Sequence, residues 1–193
     1  MKTSVVRNLI YAQVSFFGCL IIAVLMTTRA FTHNYGLSFY GSNYPMVVPF
    51  ALGLILCNIF LLRASGQLPI HKPPFDKLQP LLRFIAVLIL AIVATPDTAG
   101  PLFYYIHIVV TPVLFGTEMI LMLWLAARWN GDAFTWSLLA IQFLAGIVTL
   151  LSQLHVTQYL GQGTLVFQLV FGLSLIWTIS RLITETTQYN STN

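Results

Sequence analysis

The chain has 193 residues, of which 58% are hydrophobic and only 7% charged. At a mean hydropathy of +0.84 it lacks the polar shell of a soluble domain, which excludes a soluble globular fold. Its pI near 9.3 does not point to nucleic acid, because the cationic residues flank apolar runs and do not gather on a soluble face.

Six apolar runs predict transmembrane helices at about residues 9–28, 46–62, 81–95, 104–126, 133–151 and 164–182. A hydrocarbon core of roughly 30 Å takes about 20 apolar residues per helix, so six spans use about 120 and leave only loops. The expected fold class is therefore all-α: one polytopic membrane domain over residues 1–193. Lys2 and Arg7 resemble the start of a secretory signal. The run from Leu9 to Thr28 is long for a signal core, however, and no small-x-small cleavage site follows, so it reads as a retained first helix.

The loop after the first span, RAFTHNYGLSFYGSNYP from Arg29 to Pro45, is too aromatic for a solvated linker. Gly36 and Gly41 permit turns in it. A simple interfacial loop is expected, with a lid over an outer pocket as the functional alternative. The second loop carries Pro69, Pro73, Pro74 and Pro80, a density that predicts a connection running through Pro80. The third span is short unless residues 96–101 partly enter the membrane. Residues 128–132 predict a tight turn, residues 152–163 carry no formal charge, and residues 183–193 form a polar, frayed tail. No internal repeat marks inverted halves. Cys19 and Cys57 both fall inside spans and read as apolar thiols, without a disulfide or a CxxC metal site.

The cations set an orientation. Lys2, Arg7, Arg63, Lys72, Lys77, Arg83, Arg128 and Arg181 flank one side, and only Arg29 falls on the other. In loops this short such a bias places the cation-rich side, with both termini, in the cytoplasm. The expected location is the cell membrane, multi-pass. The Pro-rich loop carries a net charge of +3 with its flanks and is drawn to anionic lipid by about 1 kcal/mol per basic residue. Membrane lipids are the expected partners. The acceptor pattern Asn190-Ser191-Thr192 would lie inside and is discounted. Tyr35, Tyr40, Tyr44, Tyr104, Tyr105 and Tyr159 map to the outer boundary, whereas Trp124, Trp129, Trp136 and Trp177 map to the inner one, as amphipathic rings at headgroup level do.

Four sets of polar residues are candidates for chemistry. Glu118 is the only acid well inside a span, and an ionised side chain there costs several kcal/mol unless paired, wet or protonated. It must face the bundle interior, either as a proton relay or ligand contact, or as a protonated acid bonded to Gln142, Gln168 or Asn58. His107 and Thr111 share its helical face, with His107 about 16 Å from Glu118 at 1.5 Å rise per residue. Pro112 between them should bend the helix and free a carbonyl for a polar partner. His33, His107, His155 and Asp97 map to the outer side and could hold a divalent metal, although sidedness alone carries that reading. His107 bonded to Asp97 at the mouth of the bundle, with His33 and His155 in loops, is the plainer arrangement. Tyr104 joins Asp97, His107, Thr111, Glu118 and His33 as a candidate pocket residue.

Three segments resemble an uncharacterised six-span family, domain of unknown function 998, and its distant relatives of the DRAM type. They are GLSFYGSNYPMVVPFALGLIL, leading into the second span; Thr95-Pro96-Asp97 followed by His107; and the last span, Gly163 to Arg181, with Trp177 near its inner end. The resemblance implies six spans and directs attention to Asp97 and His107, but it implies no reaction and no cofactor.

Three functions follow as expectations. The first is a non-enzymatic protein binding a lipid or small apolar ligand in an outward-opening bundle. The second is an intramembrane metal-dependent hydrolase using His33, His107, His155 and Asp97, with a metal-activated water. The third is a small proton-coupled carrier using Glu118, which would need a homo-oligomer to form a pathway.

Overall fold

A computed structural model describes residues 2–27, 35–69, 73–128, 131–154 and 156–191, without the side chains of residues 2, 3, 97 and 186–191. The described residues form helices α1 (Lys2–Met26), α2 (Ser38–Ser42), α3 (Val47–Gly66), α4 (Phe75–Ala94), α5 (Pro101–Arg128), α6 (Ala133–Gln153) and α7 (Leu160–Ser191), with a 3-10 turn at Asp97–Ala99. No strand occurs among them. All but α2 contain a stretch long and apolar enough to cross a membrane: Ser4–Met26, Val47–Gly66, Phe75–Ala94, Pro101–Arg128, Ala133–Gln153 and Leu160–Glu185.

The spans form a closed ring in which α1 packs on α3, α3 on α4, α4 on α5, α5 on α6, α6 on α7, and α7 back on α1. Lipid tails are as apolar as leucine, so helix pairs in a membrane are held by close fit and by polar contacts. Glycine supplies the fit at two crossings. A Cβ at Gly53 of α3 would lie 2.7 Å from Cys19 Cβ and 3.3 Å from the Phe16 carbonyl oxygen of α1. A Cβ at Gly163 of α7 would lie 2.6 Å from Thr149 Oγ1 and 3.0 Å from the Thr149 amide nitrogen of α6. Backbone meets backbone at both.

The end of the bundle that holds the start of α1, the end of α3 and the α5–α6 connection, here called the base, is solidly filled. Phe75, Leu78, Leu82, Ile85, Leu121, Leu125 and Ile179 are all fully buried there. Polar contacts fasten its rim. Gln67 accepts bonds from Ser4 Oγ at 2.9 Å and Asn8 Nδ2 at 3.0 Å, and Gln79 Nε2 donates to the Ser65 carbonyl at 2.9 Å. Asp132 caps α6 by accepting from the Thr135 amide at 2.9 Å and the Thr135 hydroxyl at 2.7 Å, as first-turn donors require. Its other oxygen pairs with Arg181 of α7 at 2.8 Å. The Thr135 bonds, aided by the Arg181 charge, hold the Asp132 carboxyl below its usual range.

The structure departs from the sequence reading in three places. Helix α4 begins at Phe75 and carries Pro80 inside it, where a connection through Pro80 was expected. Pro80 is early enough in the helix that its missing N–H orphans only the Asp76 carbonyl near the helix start. Burial of Phe75 and Leu78 in the base draws that turn into the helix. The tail is helical to Ser191. Finally, Tyr40 is no interfacial ring: it is fully buried and its hydroxyl donates to the Thr27 carbonyl at 3.1 Å. Tyr35, Tyr44, Tyr104, Tyr105 and Tyr159 are exposed.

Candidate functional site

Away from the base the ring encloses a cavity of about 1170 Å³ to which all six spans contribute. Drug-sized sites occupy about 300–1,000 Å³, so this space is ample for an elongated molecule. Its walls are mostly apolar: Leu9 and Phe16 of α1, Phe50 and Leu54 of α3, Ile85 and Ile89 of α4, and Phe167 and Phe171 of α7 among others. Two stacked ring pairs mark two levels of it, Phe115 on Phe167 at 4.6 Å and Tyr35 on Phe39 at 4.9 Å.

The aromatic segment after α1 forms one end of the cavity. Tyr35, Gly36, Leu37, Ser38, Phe39, Ser42 and Asn43 all line it. The segment is fixed on both sides, by Tyr40 to Thr27 and by Thr98 Oγ1, which donates to the Ser42 carbonyl at 3.4 Å. A plain interfacial loop was expected; the segment instead closes over a pocket, because Leu37 and Tyr40 bury themselves between α1 and α3.

Helix α5 carries the polar stripe. Tyr104, His107, Thr111 and Glu118 all line the cavity, as the shared face of α5 requires. Glu118 is 1% exposed and accepts a bond from Gln168 Nε2 of α7 at 2.9 Å. Of the partners considered for it, Asn58 instead donates to the Ala86 carbonyl, and the Gln142 amide is buried without a bond.

The His107 Nδ1 lies 2.9 Å from the Thr95 carbonyl oxygen. A carbonyl only accepts, so Nδ1 carries the hydrogen, and in the neutral ring Nε2 is left as an acceptor. The ring therefore binds the backbone two residues before Asp97. Asp97 itself opens the 3-10 turn, and its side chain lies outside the described residues, as do His33 and His155. Among the described residues no three His, Cys, Asp or Glu side chains converge as a metal site.

The stripe continues with two further polar features. Thr111 Oγ1 is buried and has no hydrogen-bond partner. Pro112 has no N–H to give the Ile108 carbonyl, and Ile108 also lines the cavity. Sequence reasoning did not single out Gln13, which lines the cavity from α1. Its amide rests where a Cβ at Gly172 of α7 would stand, 2.2 Å away. A lone glutamine inside the first apolar run was the available signal. Gly116 was missed as well, and a Cβ there would meet no neighbouring atom within 4 Å.

Between α5 and α6 the wall is open. Ile108, Pro112 and Gly116 on α5, and Phe143, Ile147 and Leu150 on α6, line the cavity and are also exposed. The two helices are joined at the base, where the Gly131 amide donates to the Ala126 carbonyl at 2.9 Å, and they part above it. The slot lies at the depth of the apolar spans.

Six apolar helices closed into a ring around an amphipathic cavity define a multi-pass membrane protein. No family model, curated protein or solved structure matches the chain.

Proposed function

We propose that this protein holds a lipid-like amphiphile inside its helical bundle, in the cell membrane, with both termini cytoplasmic. The observation that carries the reading is the cavity of about 1170 Å³ that opens sideways between α5 and α6 at hydrocarbon depth. An apolar ligand reaches such a site from the bilayer without crossing water, and burying its chain against Phe115, Phe167 and Leu54 recovers contacts that an empty cavity forfeits. The cation distribution supports the orientation.

Gly116 gives the test. A Cβ at this position meets no neighbouring atom within 4 Å, and an indole added there should obstruct the slot that Gly116 lines. Purified wild type should carry a co-extracting lipid in about stoichiometric amount, detected by mass spectrometry after solvent extraction, and Gly116→Trp should carry at most about a tenth of it. Equal lipid content in the two proteins would reject the reading. Labelling of a cysteine at Lys77 from outside intact cells, in a background lacking Cys19 and Cys57, would reverse the orientation.

A further inference from the structure

We infer that the ligand of this cavity is a neutral lipid presenting a hydroxyl group, bound through that hydroxyl at the His107–Thr111 turn of α5, and not an anionic phospholipid. This rests on the lipid-binding reading and adds the chemistry of the head group. Among the described residues no Lys or Arg lines the cavity, and its one acid is Glu118. A phosphate moved into such a site would lose its hydration and find no cation, which is costly at low dielectric.

The polar atoms present favour a different guest. The bond from Nδ1 to Thr95 leaves Nε2 of His107, in the ring's neutral form, as an acceptor. The Ile108 carbonyl, one residue on, is denied its helical donor by Pro112. The Thr111 hydroxyl, one turn from His107, is buried and unpartnered; turned into the cavity that Thr111 lines, it can both donate and accept. Two acceptors and a hydroxyl within one turn suit an O–H group, which can give its hydrogen to a ring nitrogen or carbonyl and accept from Thr111. This turn lies on the slot between α5 and α6, with Ile108 and Pro112 exposed. The alcohol would sit at the portal while its chains run inward along Phe115 and Phe167.

Three probes of equal chain length separate the possibilities: 1,2-dioleoylglycerol, its 3-O-methyl ether, and dioleoyl phosphatidic acid. Each is exchanged into delipidated wild-type protein in detergent, and the bound fraction is read by native mass spectrometry. The alcohol should bind about tenfold better than the ether, which keeps the oxygen but loses the hydrogen. It should exceed phosphatidic acid by at least as much. The alcohol-to-ether ratio within one protein cancels differences in folded fraction. In Thr111→Val and His107→Phe that ratio should fall toward unity, and Gly116→Trp should exclude all three probes.

If the ether or phosphatidic acid binds as well as the alcohol while Gly116→Trp still excludes them, the hydroxyl inference is wrong and the lipid-binding reading stands. If Gly116→Trp binds all probes as wild type does, or wild type binds none, the reading fails and takes this inference with it. Cross-linking of two copies through cysteines at Ile108, with the slot closed to all probes, would show that a second chain covers it and would overturn the inference.

Discussion

Helix α6 has two neighbours and treats them differently. Against α7 it is sealed: Gly163 lets the backbones meet at Thr149, Phe134 sets its ring edge against Trp177 at 5.0 Å, and Asp132 pairs with Arg181 at 2.8 Å. Against α5 it is joined at the base and open above, with Phe143, Ile147 and Leu150 facing Ile108, Pro112 and Gly116 across a slot. Both faces are apolar, so hydrophobicity does not distinguish them. In a bilayer, fit does: a glycine brought against a neighbouring backbone makes a seam, whereas Gly116 of α5 meets no neighbour and leaves space for lipid.

The strongest way to break that contrast is to spoil the seam. Gly163→Leu forces a branched side chain onto the Thr149 amide and the Ala145 carbonyl, neither of which can move aside cheaply. Overpacking of this kind costs about 1–3 kcal/mol. Thermal unfolding in detergent should report it as a clear fall in midpoint with loss of the monodisperse species, and an unchanged midpoint would mean the seam is looser than described. Gly53→Val at the α1–α3 crossing should act in the same direction and to a similar extent, since Cys19 Cβ and the Phe16 and Ser15 carbonyls are fixed by the α1 backbone.

A smaller effect is expected from Asp132→Asn, which keeps a capping oxygen for Thr135 but loses the pairing with Arg181. Because the folded-state carboxyl is held below its usual value, its contribution is complete above the unfolded value near pH 4 and is lost as pH falls through the lower folded value. Wild type should therefore be modestly more stable than the variant at neutral pH, and the two unfolding curves should converge in acid. A gap that stays constant down to about pH 2 would assign the difference to the amide itself and not to the charge.

The smallest effect on stability, and the sharpest test of the open side, is Gly116→Leu. Outside the local backbone of α5 no atom lies within 4 Å of the position a Cβ would take, so the midpoint should stay within about 0.5 kcal/mol of wild type. Bound lipid should nonetheless fall. A large destabilisation would show that the slot closes in solution.

What the sequence revealed follows the same physics. The six spans were legible because the hydrocarbon core imposes both length and composition on each. The start of α4 was less so: Phe75 and Leu78 are helical because the base buries them, a tertiary effect that a local count of prolines misses. Glu118 was legible as an inward-facing acid because a membrane leaves it nowhere else to face, but Gln168 could not be chosen over Gln142 or Asn58 without the rotation of each helix. The aromatic loop was harder still. Its composition fits a headgroup-level belt as well as a cap, and only the burial of Leu37 and Tyr40 separates the two.

The contact that closes the ring, the Gln13 amide of the first span lying over Gly172 of the last, bears on how the chain is made. Synthesis releases α1 into the bilayer while the other five described spans are still unbuilt, and α7 emerges last of the six. The chamber thus lacks the side that α7 supplies until that helix arrives, and any molecule resident there at maturity either was enclosed at that moment or came in afterwards through the gap beside Gly116. Ribosome-arrested chains ending before α7 should therefore retain no guest, however well their earlier helices have paired.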